Sequence, residues 1–102
     1  METEEQAILK ITKSYSKETK TIQAMEEASE LITALSHYRR YRRGSRSELL
    51  EEMVDMDLML RQLKIITGAE DDELDALRQQ KIQRQLNRIQ NGDYEEEVKG
   101  NA

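Results

Sequence analysis

The sequence predicts an all-α protein, an antiparallel bundle of about four helices completed by oligomerisation. Three observations predict it. The 102 residues contain no proline and only four glycines, and they are rich in Glu, Gln, Leu, Lys, Arg and Ala, which lose little on entering a helix. Apolar residues recur at i, i+3, i+4 and i+7, and no stretch alternates with the two-residue period of a strand. With 36% hydrophobic residues, no Phe, no Trp and four Tyr, a lone subunit would have a thin core, so a homodimer or homotetramer is expected.

A first helix is expected over about residues 3–14, with Ala7, Ile8 and Ile11 on one face and Ser14 and Ser16 marking its end or the next cap. A second, longer helix is expected over about 17–42, burying Ile22, Met25, Ala28, Leu31, Ile32 and Leu35, with Glu26, Glu27 and Glu30 on the adjoining arc. The segment Gly44-Ser45-Arg46-Ser47 interrupts the pattern: Gly44 suits a helix terminus and Ser47 an N-cap. Helix three is expected over about 48–67, closed by Gly68. Glu70, Asp71, Asp72 and Glu73 then supply the first turn of a fourth helix, where the helix dipole favours negative charge. That helix should reach about residue 90, with Leu74, Leu77, Ile82, Leu86 and Ile89 as its apolar set and Lys81, Arg84 and Arg88 as a basic stripe. Residues 1–92 are read as one domain and 93–102 as a mobile acidic tail.

The absence of cysteine argues against disulfides, zinc–thiolate sites and thiol catalysis. The opening METEEQAILK lacks the basic start and apolar run of a signal peptide, and no stretch is apolar for long enough to cross a bilayer. A cytoplasmic protein without a membrane partner is expected. A net charge of −5 disfavours general binding to nucleic acid but leaves room for local basic patches. His37-Tyr38-Arg39-Arg40-Tyr41-Arg42-Arg43 interleaves aromatics with arginines, as a stacking platform for nucleic acid would. The preferred reading is structural: cations near a helix C-terminus are favoured by its dipole, and tyrosines there can roof the core. His37 has no partner pattern in the sequence and is read as a surface histidine.

The acidic residues call for a different explanation. In LLEEMVDMDLMLRQLKII, residues 49–66, the apolar positions point nearly all round the helical wheel, as in a helix buried on more than one face. Glu48, Glu52 and Asp55 continue at i, i+3 and i+4 spacing into Met59 and Ile66, so acids share a stripe with core residues. A buried carboxylate is costly, and the usual relief is an arginine or lysine partner, protonation, or a metal ion. Glu27 and Glu30 are i, i+3 neighbours, as are Glu52 and Asp55, so two antiparallel helices would present four carboxylates to one point. Such a set suits Mg²⁺, with Mn²⁺ as the other hard cation it would accept. A Glu-rich chain produces such spacings by accident, but the apolar setting of the second motif favours the metal.

The two motifs, EExxE at Glu26–Glu30 and ExxD at Glu52–Asp55, resemble the pattern of the all-α nucleoside triphosphate pyrophosphohydrolases, the MazG-like superfamily that includes the dimeric dUTPases. AMEEASELITALSHYRRYRRG is similar to that family's first motif helix, with acids, an apolar run and a basic end. LLEEMVDMDLMLRQLKII is similar to the second, with a Glu pair, a branched residue before the Asp and an apolar continuation. The resemblance covers about residues 17–90 and is closest in size to single-domain phage and bacterial members. One departure is a short basic connection between the motif helices and a polar fourth helix, which leaves the base-recognising residues unassigned.

The resemblance implies Mg²⁺-dependent hydrolysis of a nucleoside triphosphate to monophosphate and pyrophosphate, with Glu27, Glu30, Glu52 and Asp55 as metal ligands. A triphosphate carries about four negative charges, so carboxylates can receive it only through divalent cations. Glu26, at i, i+4 to Glu30, is the candidate for orienting or deprotonating the attacking water or for holding another metal; otherwise it is a surface acid. Lys81, Arg84 and Arg88 resemble the last helix that in this family reaches the phosphates; otherwise they form a solvated basic face. No Ser, Cys or His is placed as a nucleophile, so attack by water without a covalent enzyme intermediate is expected. Two alternatives stay open: a non-catalytic helical scaffold whose acids pair with its arginines, and a small nucleic-acid-binding bundle built on the Arg39–Arg46 patch.

Overall fold

Capping chemistry sets where the helices begin. In the computed structural model, which describes residues 1–42 and 44–92, the described residues form four helices and no strand. Helix α1 spans Glu4–Lys13 behind a capping box: the Gln6 backbone N–H donates to Thr3 Oγ1 at 3.0 Å, and the Thr3 N–H donates to Gln6 Oε1 at 2.9 Å. Helix α2 spans Lys17–Arg39 and is capped by Ser16, whose hydroxyl accepts from the Thr19 N–H at 3.1 Å. Helix α3, Ser45–Thr67, lies between two left-handed glycines, Gly44 at φ 78° and Gly68 at φ 71°. Helix α4, Asp71–Gln90, starts where the Glu70 N–H donates to Glu73 Oε1 at 3.2 Å. No helix among the described residues is long and apolar enough to cross a membrane.

The expected bounds shift in two places. Helix α2 stops at Arg39 rather than about residue 42, and α3 begins at Ser45, so Ser47 lies inside the first turn instead of capping it. The turn is tight because Tyr41 and Gly44 both take positive φ, 55° and 78°, which reverses the chain within residues 40–44. Tyr41 therefore leaves the helix. Tyr38 and Tyr41 are exposed and do not roof the core as expected. Arg43 and the acidic segment 93–102 lie outside the described residues.

The chain divides into two compact units, Met1–Gly68 and Ala69–Ala102. In the first, α2 and α3 pack along their length as an antiparallel hairpin, and α1 packs on α3. An ion pair of 2.9 Å between Glu4 and Arg61 ties the start of α1 to α3. Among the described residues the buried apolar side chains are few, and two of the four are small: Ile8, Ala24, Ala34 and Met59. Ala24 and Ala34 face inward on α2, and their small side chains permit close approach of α3.

This differs from the expected packing. Ile22, Met25, Ile32 and Leu35, expected to be buried, are exposed, with Met25 at 68% and Ile32 at 67%. On α3, Leu50, Met53, Val54 and Leu60 are exposed as well. Both helices carry apolar residues on more than one face, and their packing on each other and on α1 leaves several of these uncovered. Helix α4, in the second unit, has no buried residue. Ala34 is fully buried at the inner face of α2. Ala34→Leu is therefore expected to destabilise the fold by about 1–3 kcal/mol through overpacking, read as a lower urea midpoint.

Candidate metal centre

Helical periodicity brings the acids together. Glu27 and Glu30 lie on the side of α2 that carries Ala24 and Ala34, and Glu52 lies one turn after Glu48 and two turns before Met59 on α3. Because the helices run in opposite directions, the pair from one arrives opposite the pair from the other. Carboxylate oxygens of Glu27, Glu30, Glu52 and Asp55 all lie within 4.8 Å of one another. Glu27 and Glu52 are half-buried and Glu30 and Asp55 are exposed, so the cluster has a dry floor and a wet rim.

Of the three expected reliefs for buried acids, the lysine or arginine partner is not found among the described residues. Among the described residues no lysine or arginine forms an ion pair with any of the four. Glu27 Oε2 and Glu52 Oε2 are buried with no hydrogen-bond partner. Burial first, and then the charges of Glu30, Asp55 and Glu52, hold the Glu27 carboxyl above the ordinary glutamate range. Loss of water likewise raises the Glu52 carboxyl, with Glu30, Asp55 and Glu48 adding to it. The Glu30 side chain lies within hydrogen-bonding reach of both Glu27 and Glu52. Four converging hard oxygens, two of them orphaned and all lacking a protein cation, fit a divalent ion such as Mg²⁺ or Mn²⁺. On α3, a shallow depression of about 470 Å³ lined by Leu50, Glu51, Glu52, Val54 and Asp55 opens beside two of these carboxylates.

The raised carboxyls make a stability prediction. A glutamate whose folded pKa lies above its unfolded value binds more protons when folded, so it destabilises the fold where it is ionised. That penalty is present above the raised folded pKa and disappears as pH falls toward the ordinary 4.5. The metal-free protein is thus expected to melt higher in mildly acidic buffer than at neutral pH. Mg²⁺ should reverse the trend, raising the melting temperature most where the carboxyls are ionised. Thermal melts across pH with Mg²⁺ and with a chelator read both slopes.

Glu26, the candidate for the attacking water, is exposed and stands outside the four-acid cluster. It borders a separate groove on α2. Lys81, Arg84 and Arg88 are exposed on α4 in the second unit, one helical face apart from one another by i, i+3 and i+7. His37 is not a lone surface histidine: its Nδ1 meets Glu48 Oε1 at 2.8 Å, joining the end of α2 to the first turn of α3. His37 lies two turns after Glu30 and Glu48 one turn before Glu52, so an antiparallel hairpin carries both toward the same connecting turn. Lys20 was overlooked as well. It shares a stripe at i, i+4, i+7 and i+14 with Ala24, Glu27 and Ala34, and it is buried.

No protein-family model matches this chain, and neither a curated protein nor a solved structure matches it significantly.

Proposed function

We propose that the protein is a Mg²⁺-dependent nucleoside triphosphate pyrophosphohydrolase that releases nucleoside monophosphate and pyrophosphate. The observation that carries the proposal is the convergence of Glu27, Glu30, Glu52 and Asp55 within 4.8 Å, with no lysine or arginine among the described residues in an ion pair with them. The same four residues stand in the EExxE and ExxD motifs whose setting resembles the MazG-like superfamily. The sequence motif and the cluster geometry thus agree on one set of ligands.

A divalent cation held there would neutralise the phosphates and make the phosphorus more electrophilic. The residues supply the rest. Glu27 and Glu52 hold their carboxylates from a dehydrated floor, while Glu30 and Asp55 face solvent, from which a triphosphate arrives. The depression beside Glu52 and Asp55 gives that polyphosphate room. Glu26, next to Glu27 but outside the cluster and bordering the groove on α2, is assigned to the attacking water by the sequence reading alone. Lys81, Arg84 and Arg88 are assigned to the phosphates by the resemblance alone. Self-association to a homodimer or homotetramer belongs to the same reading and is supported by the apolar residues exposed on α2 and α3.

A panel of ribo- and deoxyribonucleoside triphosphates, assayed for pyrophosphate release with Mg²⁺, tests the proposal. Turnover of at least one of them, abolished by chelation, is expected. Unchanged thermal melts with Mg²⁺ together with no turnover of any would favour the scaffold reading.

A further inference from the structure

Lys20 is 2% exposed, yet no carboxylate among the described residues pairs with its ammonium. Its Nζ donates one hydrogen bond, to Gln23 Oε1 at 2.9 Å, and lies 4.6 Å from the centre of the Tyr15 ring. An ammonium has three N–H donors. A cation–π contact and one amide are meagre company for a charge removed from water. The group borders a groove of about 430 Å³ whose walls include Ile11, Ile22, Tyr15 and Glu26.

The position of this groove relates it to the carboxylates. Lys20, Gln23, Glu27 and Glu30 follow one another at i, i+3, i+7 and i+10, one stripe of α2. Seven residues of helix place Lys20 about 10 Å along α2 from Glu27. That separation is of the order of the distance from a nucleotide's phosphates to its base. The chemistry of the groove is also that of a base site. Its one cation is offset by Glu26, so it does not favour a second cluster of phosphate charge, and its aliphatic and aromatic walls suit a flat ring. Tyr15, on the link between α1 and α2, is 58% exposed and its ring covers the Lys20 ammonium.

We propose that Lys20 and Gln23 form the base-recognising end of the site, selecting bases that carry a keto oxygen at pyrimidine position 4 or purine position 6; this rests on the pyrophosphohydrolase reading. The selection follows from the donors. An ammonium can only donate, so the Gln23 oxygen must face it, which leaves the Gln23 NH₂ turned to other partners. Lys20 and the Gln23 NH₂ therefore both present N–H donors. A keto oxygen satisfies them, whereas the amino group of cytosine or adenine at the same place leaves donor facing donor. Binding shifts the Tyr15 ring, because the ammonium lies covered beneath it.

The experiment compares UTP with CTP and GTP with ATP in the wild type, Lys20→Met, Gln23→Leu and Lys20→Arg, with inorganic tripolyphosphate as a base-free probe. Methionine keeps an unbranched stem in the buried position, and arginine keeps the donors. The wild type should prefer each keto partner by about tenfold or more in kcat/KM. Lys20→Met should bring both ratios near one, Gln23→Leu should reduce them, and Lys20→Arg should retain part of the preference. Tripolyphosphate binding should be unchanged throughout. Ratios that survive Lys20→Met, a wild-type preference for the amino bases, or an equal weakening of tripolyphosphate and every nucleotide would overturn the assignment. If no triphosphate turns over, the proposed function fails while the assignment is still decided, by titrating uridine and cytidine against the Tyr15 ring signals in NMR. Uridine-selective shifts lost in Lys20→Met uphold it, and no shift with either nucleoside overturns it.

Discussion

Replacing Glu52 with Gln, or Asp55 with Asn, is expected to lower kcat/KM for triphosphate hydrolysis by about a thousandfold or more while leaving the helices intact. The chemical loss follows from removing one of the four carboxylates that would hold the cation, and its charge with it; a few kcal/mol of lost transition-state stabilisation amounts to that factor. The structural tolerance follows from the same geometry. Glu52 has a buried, unpartnered oxygen and its carboxyl is raised by loss of water and by Glu30 and Asp55, so the metal-free fold gains when the charge is removed. Glu52→Gln should therefore melt at the same temperature as the wild type or higher when chelator is present, and gain less from Mg²⁺. Glu26→Gln should separate the roles: turnover slows while the Mg²⁺-induced melting shift stays, since Glu26 stands outside the four-acid set. Circular dichroism with a Mg²⁺ titration distinguishes these outcomes from loss of an acid–arginine scaffold, in which helicity would fall.

A change of mass is the second large effect expected. Each chain of 12.0 kDa exposes Met25, Ile32, Leu35, Met53, Val54 and Leu60 on the two hairpin helices, while its buried apolar residues are Ile8, Ala24, Ala34 and Met59. Burying one large aliphatic side chain contributes about 1.5–3 kcal/mol, so covering several of them on each of two copies outweighs the association cost. Light scattering at micromolar concentration should report a dimer or tetramer. The double variant Ile32→Lys with Leu60→Lys should scatter as a monomer, because its charges would have to be buried at the interface. A wild-type monomer would mean that this surface serves another partner.

The elements most legible in the sequence were those with local chemistry. Ser16 announced the start of α2, and Gly68 the end of α3, because capping depends on residues within a turn of each other. The carboxylate cluster was legible for a similar reason: i, i+3 pairs on two helices need only the antiparallel arrangement to converge. Which face of α2 turns inward was not. Ile22, Met25 and Ile32 are stronger hydrophobes than Ala24 and Ala34, yet close helix approach selects the small residues and leaves the large ones outside within a single chain. Lys20 was missed because a lysine is ordinarily read as solvated, and only its place on the alanine stripe marks it as buried. His37 and Glu48 found each other across the turn, a pairing that depends on where α2 stops and α3 starts. Those limits were set by positive φ at Tyr41 and Gly44 rather than by the Ser47 cap.

Hydrolysis in ¹⁸O-water, followed by ³¹P NMR of the products, tests most directly whether the four acids serve a pyrophosphohydrolase. With Mg²⁺ and a triphosphate that turns over, monophosphate and pyrophosphate should appear together, with the label in the monophosphate and none in pyrophosphate, and Asp55→Asn should abolish both. Orthophosphate as the first product, or label in the pyrophosphate, would contradict attack at the α-phosphorus and with it the function assigned to Glu27, Glu30, Glu52 and Asp55.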